Sequence, residues 1–447
     1  MFTKEALKKL IIPLIIEQIL AVLVGMADVI MVARISSVKS IGEAAVAGVS
    51  LVDSINYLLI GLFSALATGG AVVTSQYLGH KDKKNACKSG EQLVISTLIL
   101  SLTVMIVVLL FRTTILHMLF GKAEANVMAN ARIYMLYTAW SYPFIAVYNA
   151  CAALFRSMGN SKISMKVSLL MNGMNIVGNA ILLYGFSMGV KGAALATLIS
   201  RIFASLAMYF LLRDRKNPVY IATLLEFRVD FAMIKRILHI GIPNGLENSV
   251  FQVGKILVQG IIAALGTSAI TSNQVAANIG NIGTIPGNAI SLALITIVGQ
   301  CIGALDYDGV KDYTHKLMRL TYKIMAVLNL VIIILIPFII KMYDLTAETA
   351  ETTKVLIFYH CFLAILIWPM AFTLPNALRA VNDVKYTMLI SMFSMWIWRI
   401  GSSYILTYTL HLGVLGIWIA MTIDWLFRAI CFVYRFRKEK YRQIAIM

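Results

Sequence analysis

Long apolar runs separated by short polar loops govern the chain from end to end. Twelve stretches, at about 7–34, 46–78, 91–111, 133–157, 163–187, 190–212, 236–264, 269–303, 318–341, 354–379, 385–410 and 413–435, carry few charges. About 20 mostly apolar residues suffice for a helix to cross a bilayer, so each reads as a membrane-spanning segment. The run from Leu10 to Val32 follows Lys4, Lys8 and Lys9. It is too long for a secretory h-region and no small-residue cleavage site follows, so it reads as a retained first helix.

The pattern repeats. IPLIIE (12–17) matches IPNGLE (242–247), IGEAAV (41–46) matches LGTSAI (265–270), and SQYLG (75–79) matches GQCIG (299–303). LFRSMGNSKISM (154–165) matches ALRAVNDVKYTM (377–388), and GVKGAALAT (189–197) matches GVLGIWIAM (413–421). Four of these matches share nearly the same offset. The first is displaced further because the loop after the first segment holds SSVKSI. The expected organisation is an N-terminal six-helix lobe (1–212), a basic linker (213–235) and a C-terminal six-helix lobe with a short basic tail (236–447). Six helices per half insert both halves the same way round, which is a design of secondary transporters.

Composition agrees. Of 447 residues, 60% are hydrophobic and 13% charged, with mean hydropathy +0.82. That is too apolar for a soluble chain of this length. The net charge of +18 points to topology rather than to nucleic acid. The outer loops would hold only Arg34, Lys39, Arg112, Lys122, Arg132, Lys191, Lys341 and Lys354, while the inner segments hold most of the 39 Lys and Arg. This asymmetry places both termini in the cytoplasm of a multi-pass plasma-membrane protein. The five cysteines suggest neither a disulfide framework nor a metal site. No GxxxxGK[ST], HExxH or GxSxG motif occurs, so the chain is not expected to be an enzyme, and transport would run on an ion gradient with no cofactor.

The repeated motifs carry a resemblance. Pro13 and Asp28 within IIPLIIEQILAVLVGMADVIMV, Gln76/Gly79 and Gln300/Gly303, and Asn175, Asn179 and Gly185 before GVKGAA resemble the multidrug and toxic compound extrusion (MATE) family. The likeness covers nearly the whole chain. It implies an all-α fold of two pseudo-symmetric bundles around a central V-shaped cleft. It also implies export of amphipathic, often cationic, organic compounds in exchange for H⁺ or Na⁺ by alternating access, with the bilayer and small organic molecules as partners. A monomer is expected. A lipid-linked precursor flippase of the same superfamily is the alternative. The basic stretch GHKDKKNACK (79–88) lacks the loop signature of the major facilitator class. The chain departs from the family pattern at three positions. Asn179 stands where some branches have aspartate, Phe251 where others have glutamate, and Trp368–Pro369 where one branch has an acid.

Ionisable residues inside membrane segments are candidate sites. Asp28 and Glu17 lie eleven residues apart, on one face of a helix and about 16 Å apart along it. Glu247 repeats Glu17. Lys255 has no counterpart, and it could meet Asp28 or Asp53 of the other lobe. Asp53 would begin the second segment. Asn175, Asn179 and Gln252 complete the candidate ion-coupling set. Candidate pocket-lining residues are Asn172, Asn273, Asn278, Tyr142, Tyr148, Trp368 and Trp396. Asp424 and Arg428, at i and i+4, should pair with each other. Arg201 and Arg399 should face protein or headgroups. Gly280, Gly283, Pro286 and Gly287, with Pro13, Pro243, Pro369 and Pro375, are candidate hinges.

Overall fold

The computed structural model describes residues 2–34, 39–121, 123–221, 229–343 and 345–443. Part of the inserted SSVKSI loop, Lys122 and residues 222–228 of the expected linker lie outside them. Among the described residues the chain is helical, with no strand. In order it forms α1 (Lys4–Ala33), α2 (Lys39–Gly79), α3 (Lys83–Phe120), α4 (Ala125–Trp140), α5 (Tyr142–Ser157), α6 (Ser161–Asn179), α7 (Gly189–Leu212) and α8 (Phe231–Ala263). Then follow α9 (Thr267–Gly303), α10 (Tyr307–Met342), α11 (Ala347–Leu366), α12 (Leu374–Ala380), α13 (Val384–Phe393), the single turn α14 (Ser402–Tyr404) and α15 (Gly413–Arg437).

Nine helical stretches among the described residues are long and apolar enough to cross a membrane. Three other expected spans fall outside that measure for visible reasons. One breaks at Ser141 between α4 and α5. One is α8, which carries Glu247, Gln252, Lys255 and Gln259 along its apolar length. The last runs from α13 through wide π turns at Ser394–Gly401 and Ile405–Thr409.

Two compact units divide the chain, Phe2–Gly245 and Leu246–Met447. In the first, α1 packs on α6, α6 on α7, and α2 lies against α3, α4 and α5. In the second, α9 is central and packs on α10, α11 and α12. Glycines make this packing possible. A Cβ on Gly280 would stand 2.6 Å from the His360 ring, one on Gly283 2.3 Å from Asn329 Oδ1, and one on Gly287 2.1 Å from the Trp368 ring. These positions of α9, expected as hinges, are slots that receive side chains from its neighbours. Asn329 also donates to the Gly283 carbonyl at 3.1 Å, which satisfies backbone close to Pro286, as an apolar surrounding requires.

The internal duplication extends to the turns. Left-handed residues occur in matched pairs: Lys81 (φ 61°) with Leu305 (58°), Gly159 (78°) with Asn382 (66°), Ser187 with His411 (both 53°), and Gly189 (58°) with Gly413 (55°). For non-glycine residues this conformation is costly, and local bonds hold it. After α2, Asp82 N donates to Tyr77 O at 3.0 Å, and after α9, Asp306 N donates to Cys301 O at 2.9 Å. These are the closing bonds of a Schellman-type stop. The same aspartates then cap the next helix, accepting from Asn85 N at 3.0 Å and from Gly309 N at 2.8 Å.

Candidate functional site

In the first unit, α1, α2, α4, α6 and α7 bring together Asp28, Asp53, Tyr134, Asn175, Asn179, Thr197 and Arg201. Asn179 Nδ2 donates to Asp28 Oδ1 at 2.7 Å. Asn175 satisfies both ends of its amide when its nitrogen donates to Asp28 at 2.8 and 3.1 Å and its oxygen accepts from Thr197 Oγ1 at 3.1 Å. Asp53 accepts from Asn56 Nδ2 at 3.1 Å, and Tyr134 bonds it as well. Asn56 in turn accepts from the Tyr142 hydroxyl at 2.8 Å. Arg201 lies within electrostatic reach of both carboxylates and donates to Ser141 Oγ at 2.7 Å. A cavity of about 90 Å³, lined by Gly25, Asp28, Asp53, Tyr134, Asn179 and Thr197 among others, opens onto these groups. That is room for a few waters or one small ion. Two carboxylates against one guanidinium leave one negative charge.

One expectation changes here. Asp53 does not begin its helix: α2 starts at Lys39, about four turns earlier. The polar stretch KSIGEAA is helical but invisible to hydropathy. Arg201, expected to face protein or headgroups, faces protein as a member of this cluster.

Glu17 and Glu247 each find an arginine within their own unit. Glu17 accepts from Ser164 Oγ at 3.1 Å, with Arg156 at 3.9 Å. Glu247 is paired to Arg379 at 2.8 Å. Arg156 and Arg379 occupy the same place in the repeated motifs LFRSMG and ALRAVN.

The second unit holds a different cluster. Asp424, fully buried, accepts from Arg428 Nε at 2.7 Å and from Ser394 Oγ, with Arg399 Nη1 at 3.6 Å. Arg428 also donates to the Ser391 carbonyl at 3.1 Å. Around the Phe251 ring stand Lys255 (5.0 Å to the centroid), Arg428 (5.1 Å) and Arg399 (5.6 Å). No two of these cations are then more than about 11 Å apart, so each pair repels by at least about 1.5 kcal/mol at an effective dielectric near 20.

These two clusters stand on helices whose sequences also match known proteins. The MatE family model matches twice, over residues 13–181 and 243–405. The chain belongs to the MatE family. Among its relatives is the "Uncharacterized transporter YisQ" of Bacillus subtilis, 27% identical over 434 residues, covering 96% of this chain and 92% of that protein. Another is the "Probable multidrug resistance protein NorM" of Thermotoga maritima, 24% identical over 99% of this chain and 94% of that protein. In fold, the chain resembles the crystal structure of MATE in the straight conformation, with a TM-score of 0.88 at 21% identity over 99% of this chain and 97% of that one. The bent conformation of MATE gives a TM-score of 0.86. The chain is thus an all-helical MatE multidrug-efflux-family membrane protein.

Within this MatE chain the other candidate residues are dispersed. Asn172 lies one turn from Ser168 and donates to it at 3.4 Å. Asn273 accepts from Trp418 Nε1 at 3.0 Å, while Asn278 is exposed and accepts from Gln274 at 3.4 Å. Gln252 is half-buried on α8. Tyr142, Tyr148 and Trp368 are buried inside their units. Trp368 stacks on Phe372 with centroids 5.1 Å apart. Trp396 is exposed. The expected Asp424–Arg428 pair is present. Arg399, expected against protein or headgroups, faces Asp424. Residues that the chain alone did not single out are Tyr134, Thr197, Asn56, Ser141, Arg156, Arg379 and Arg201 as a charge partner. Only the two arginines of the repeated motif left a readable signal.

Proposed function

We propose that this chain is a proton-coupled antiporter that exports amphipathic organic compounds by alternating access. In this reading it acts as a monomer of two six-helix lobes, 1–212 and 236–447 joined by residues 213–235, in the cell membrane with both termini cytoplasmic. The observation that carries the reading is the surrounding of Asp28. The Asn179 amide nitrogen donates to its carboxylate at 2.7 Å and the Asn175 amide lies against the same carboxylate, beside a small cavity. A bound Na⁺ needs a cage of oxygens, whereas here the Asn179 nitrogen takes up one of the two carboxylate oxygens. A proton needs only one lone pair and a path for water.

The charge count supports the same exchange. With Asp28 and Asp53 ionised against Arg201, the site carries one excess negative charge. A proton neutralises it. Loss of that proton restores the charge, and with it the attraction for a cationic group or a second proton. Proton and cargo then compete for one carboxylate, which is the minimal requirement of antiport.

Proteoliposomes with imposed H⁺ or Na⁺ gradients and ethidium as cargo test the reading. Export by the parent chain should follow the H⁺ gradient, and Asp28→Asn should abolish that dependence. Export driven equally well by Na⁺ alone assigns Na⁺ as the coupling ion. Unimpaired proton-driven export by Asp28→Asn overturns the role given to Asp28.

A further inference from the structure

The second unit is built with an excess of positive charge where a membrane protein can least tolerate it. Lys255, Arg399 and Arg428 surround one aromatic ring, at 5.0, 5.6 and 5.1 Å from its centroid. Among the described residues of that unit, Asp424 is the one carboxylate paired with any of them, and it is already shared between Arg428 and Arg399. Glu247, eight residues before Lys255, is committed to Arg379, and Asp383 to Arg435 at 2.6 Å. Three cations against one anion leave two uncompensated charges.

Two unsatisfied donors point the same way. Arg399 Nε and Trp425 Nε1 are buried without an acceptor, although Asp424 Oδ2, 3.6 Å from Arg399 Nη1, also lacks a hydrogen-bond donor. Lys255 has no carboxylate partner within its unit among the described residues, and its side chain is exposed on that unit. Donors without acceptors in an apolar surrounding call for a group that brings acceptor oxygens and negative charge. Phe251 and Phe372 flank the Arg428 guanidinium, Phe372 at 5.4 Å, and give the cluster an aromatic border for the apolar part of such a molecule.

We infer that the Lys255–Arg399–Arg428 cluster is a binding site for the anionic group (carboxylate, sulfonate or phosphate) of an amphiphilic molecule whose apolar body rests on Phe251. Lys255 is the reachable charge, and the two arginines, fixed by Asp424, supply the standing positive potential. The inference deepens the efflux reading above by adding an anionic group to the cargo, but the site stands on its own contacts.

The two xanthene dyes fluorescein and rhodamine 123 share a tricyclic body and differ in charge. Their binding to the purified full-length chain in neutral detergent is read by fluorescence anisotropy. The parent should bind fluorescein at the cation cluster, whereas rhodamine 123, a cation, is drawn to the Asp28 carboxylate instead. Lys255→Met should weaken fluorescein about 10-fold and leave rhodamine 123 unchanged, while Lys255→Arg should keep fluorescein binding. Lys255→Gln replaces Lys255→Met if the latter is not monodisperse. Undiminished fluorescein binding by the neutral variant overturns the site. Displacement of fluorescein by phosphatidylglycerol, but not phosphatidylcholine, assigns the anion to a lipid headgroup, and lack of displacement assigns it to a soluble compound. Binding is read without any gradient. Failure of proton-driven export therefore leaves this site standing, and failure of fluorescein binding leaves the Asp28 exchange standing.

Discussion

Arg379 Nη2 lies 2.8 Å from Glu247 Oε1, and Arg156 Nη1 stands 3.9 Å from Glu17 Oε1 at the corresponding place in the other unit. Each pair ties a proline-bearing helix, α1 or α8, to the segment that ends in a left-handed turn at Gly159 or Asn382. Duplication has kept both partners, so the contact belongs to the architecture of the repeat.

The side chains of Glu247 and Arg379 are only 9% and 12% exposed, so breaking the pair strands a buried charge. Arg379→Ala should destabilise the chain by about 3–5 kcal/mol. Adding Glu247→Gln to that variant should recover much of the loss, because no unpaired carboxylate remains. Thermal unfolding in detergent, compared across the two single variants and the double, measures this. Additive losses would show that the pair is not coupled and that Glu247 is free for another task.

Arg201 serves two carboxylates at once. Arg201→Gln leaves Asp28 and Asp53 without a counter-charge and should cost about 1–3 kcal/mol. Asp53→Asn in the same chain removes one of the two stranded charges and should restore stability toward the parent. If the double variant unfolds no later than Arg201→Gln alone, Arg201 is held by Ser141 and its tyrosine neighbours and does not balance the acids.

The duplicated plan was legible because the repeats fall at turns and helix ends, where Gly, Asn and Asp have few substitutes. Pro13 and Pro243 with their glutamates marked equivalent places in the two halves of the sequence. Helix starts were less legible. The polar turns opening α2, α3 and α10 are helical yet hold few apolar residues, so hydropathy began each of them late and left Asp53 at an apparent helix start. The partners of Asp28 were only partly legible. Asn175 and Asn179 show themselves by spacing on α6, whereas Tyr134, Thr197 and Arg201 come from α4 and α7, and only tertiary packing delivers them. The cation cluster about Phe251 escaped for the same reason, since α8, α13's continuation and α15 each contribute a single charge to it.

The C-terminal tail is tethered by charge. Glu439 accepts from Lys311 at 2.8 Å and pairs with Arg442, which also reaches Asp308 at 3.1 Å. The hydrogen bond from Lys311 is the largest cause holding the Glu439 carboxyl below its usual 4.5. A lowered carboxyl stabilises the docked tail at any pH above 4.5, and that contribution disappears as the pH falls through the lowered folded value. Protection of the tail amides, taken relative to the intrinsic exchange rate at each pH, should be flat from neutrality down to about pH 5 and be lost below about pH 4. Glu439→Gln should show the acid-like loss of protection already at pH 7, and high salt should partly mimic it. Slow exchange in Glu439→Gln at pH 7 would mean that the tail is held by contacts other than this ion pair.

Two glycines separate packing from function. A Cβ at Gly287 would stand 2.1 Å from the Trp368 ring, whereas one at Gly25 would meet nothing within 4 Å. Trp368 is buried and stacked on Phe372, so it cannot swing aside without disturbing the contact between α9 and the π turn at Pro369–Thr373. Gly287→Ala should therefore lower stability by about 1–3 kcal/mol through overpacking. Gly25→Ala should leave stability unchanged or raise it by up to about 1 kcal/mol, the ordinary helix preference for alanine. Gly25 lines the cavity beside Asp28, so its methyl group takes space that water or a small ion would use. Proton-driven ethidium export by Gly25→Ala should slow even though the protein melts no earlier than the parent. Equal export rates for Gly25→Ala and the parent would place the working path to Asp28 elsewhere than this cavity. A Gly287→Ala chain as stable as the parent would show that Trp368 has a second rotamer open to it.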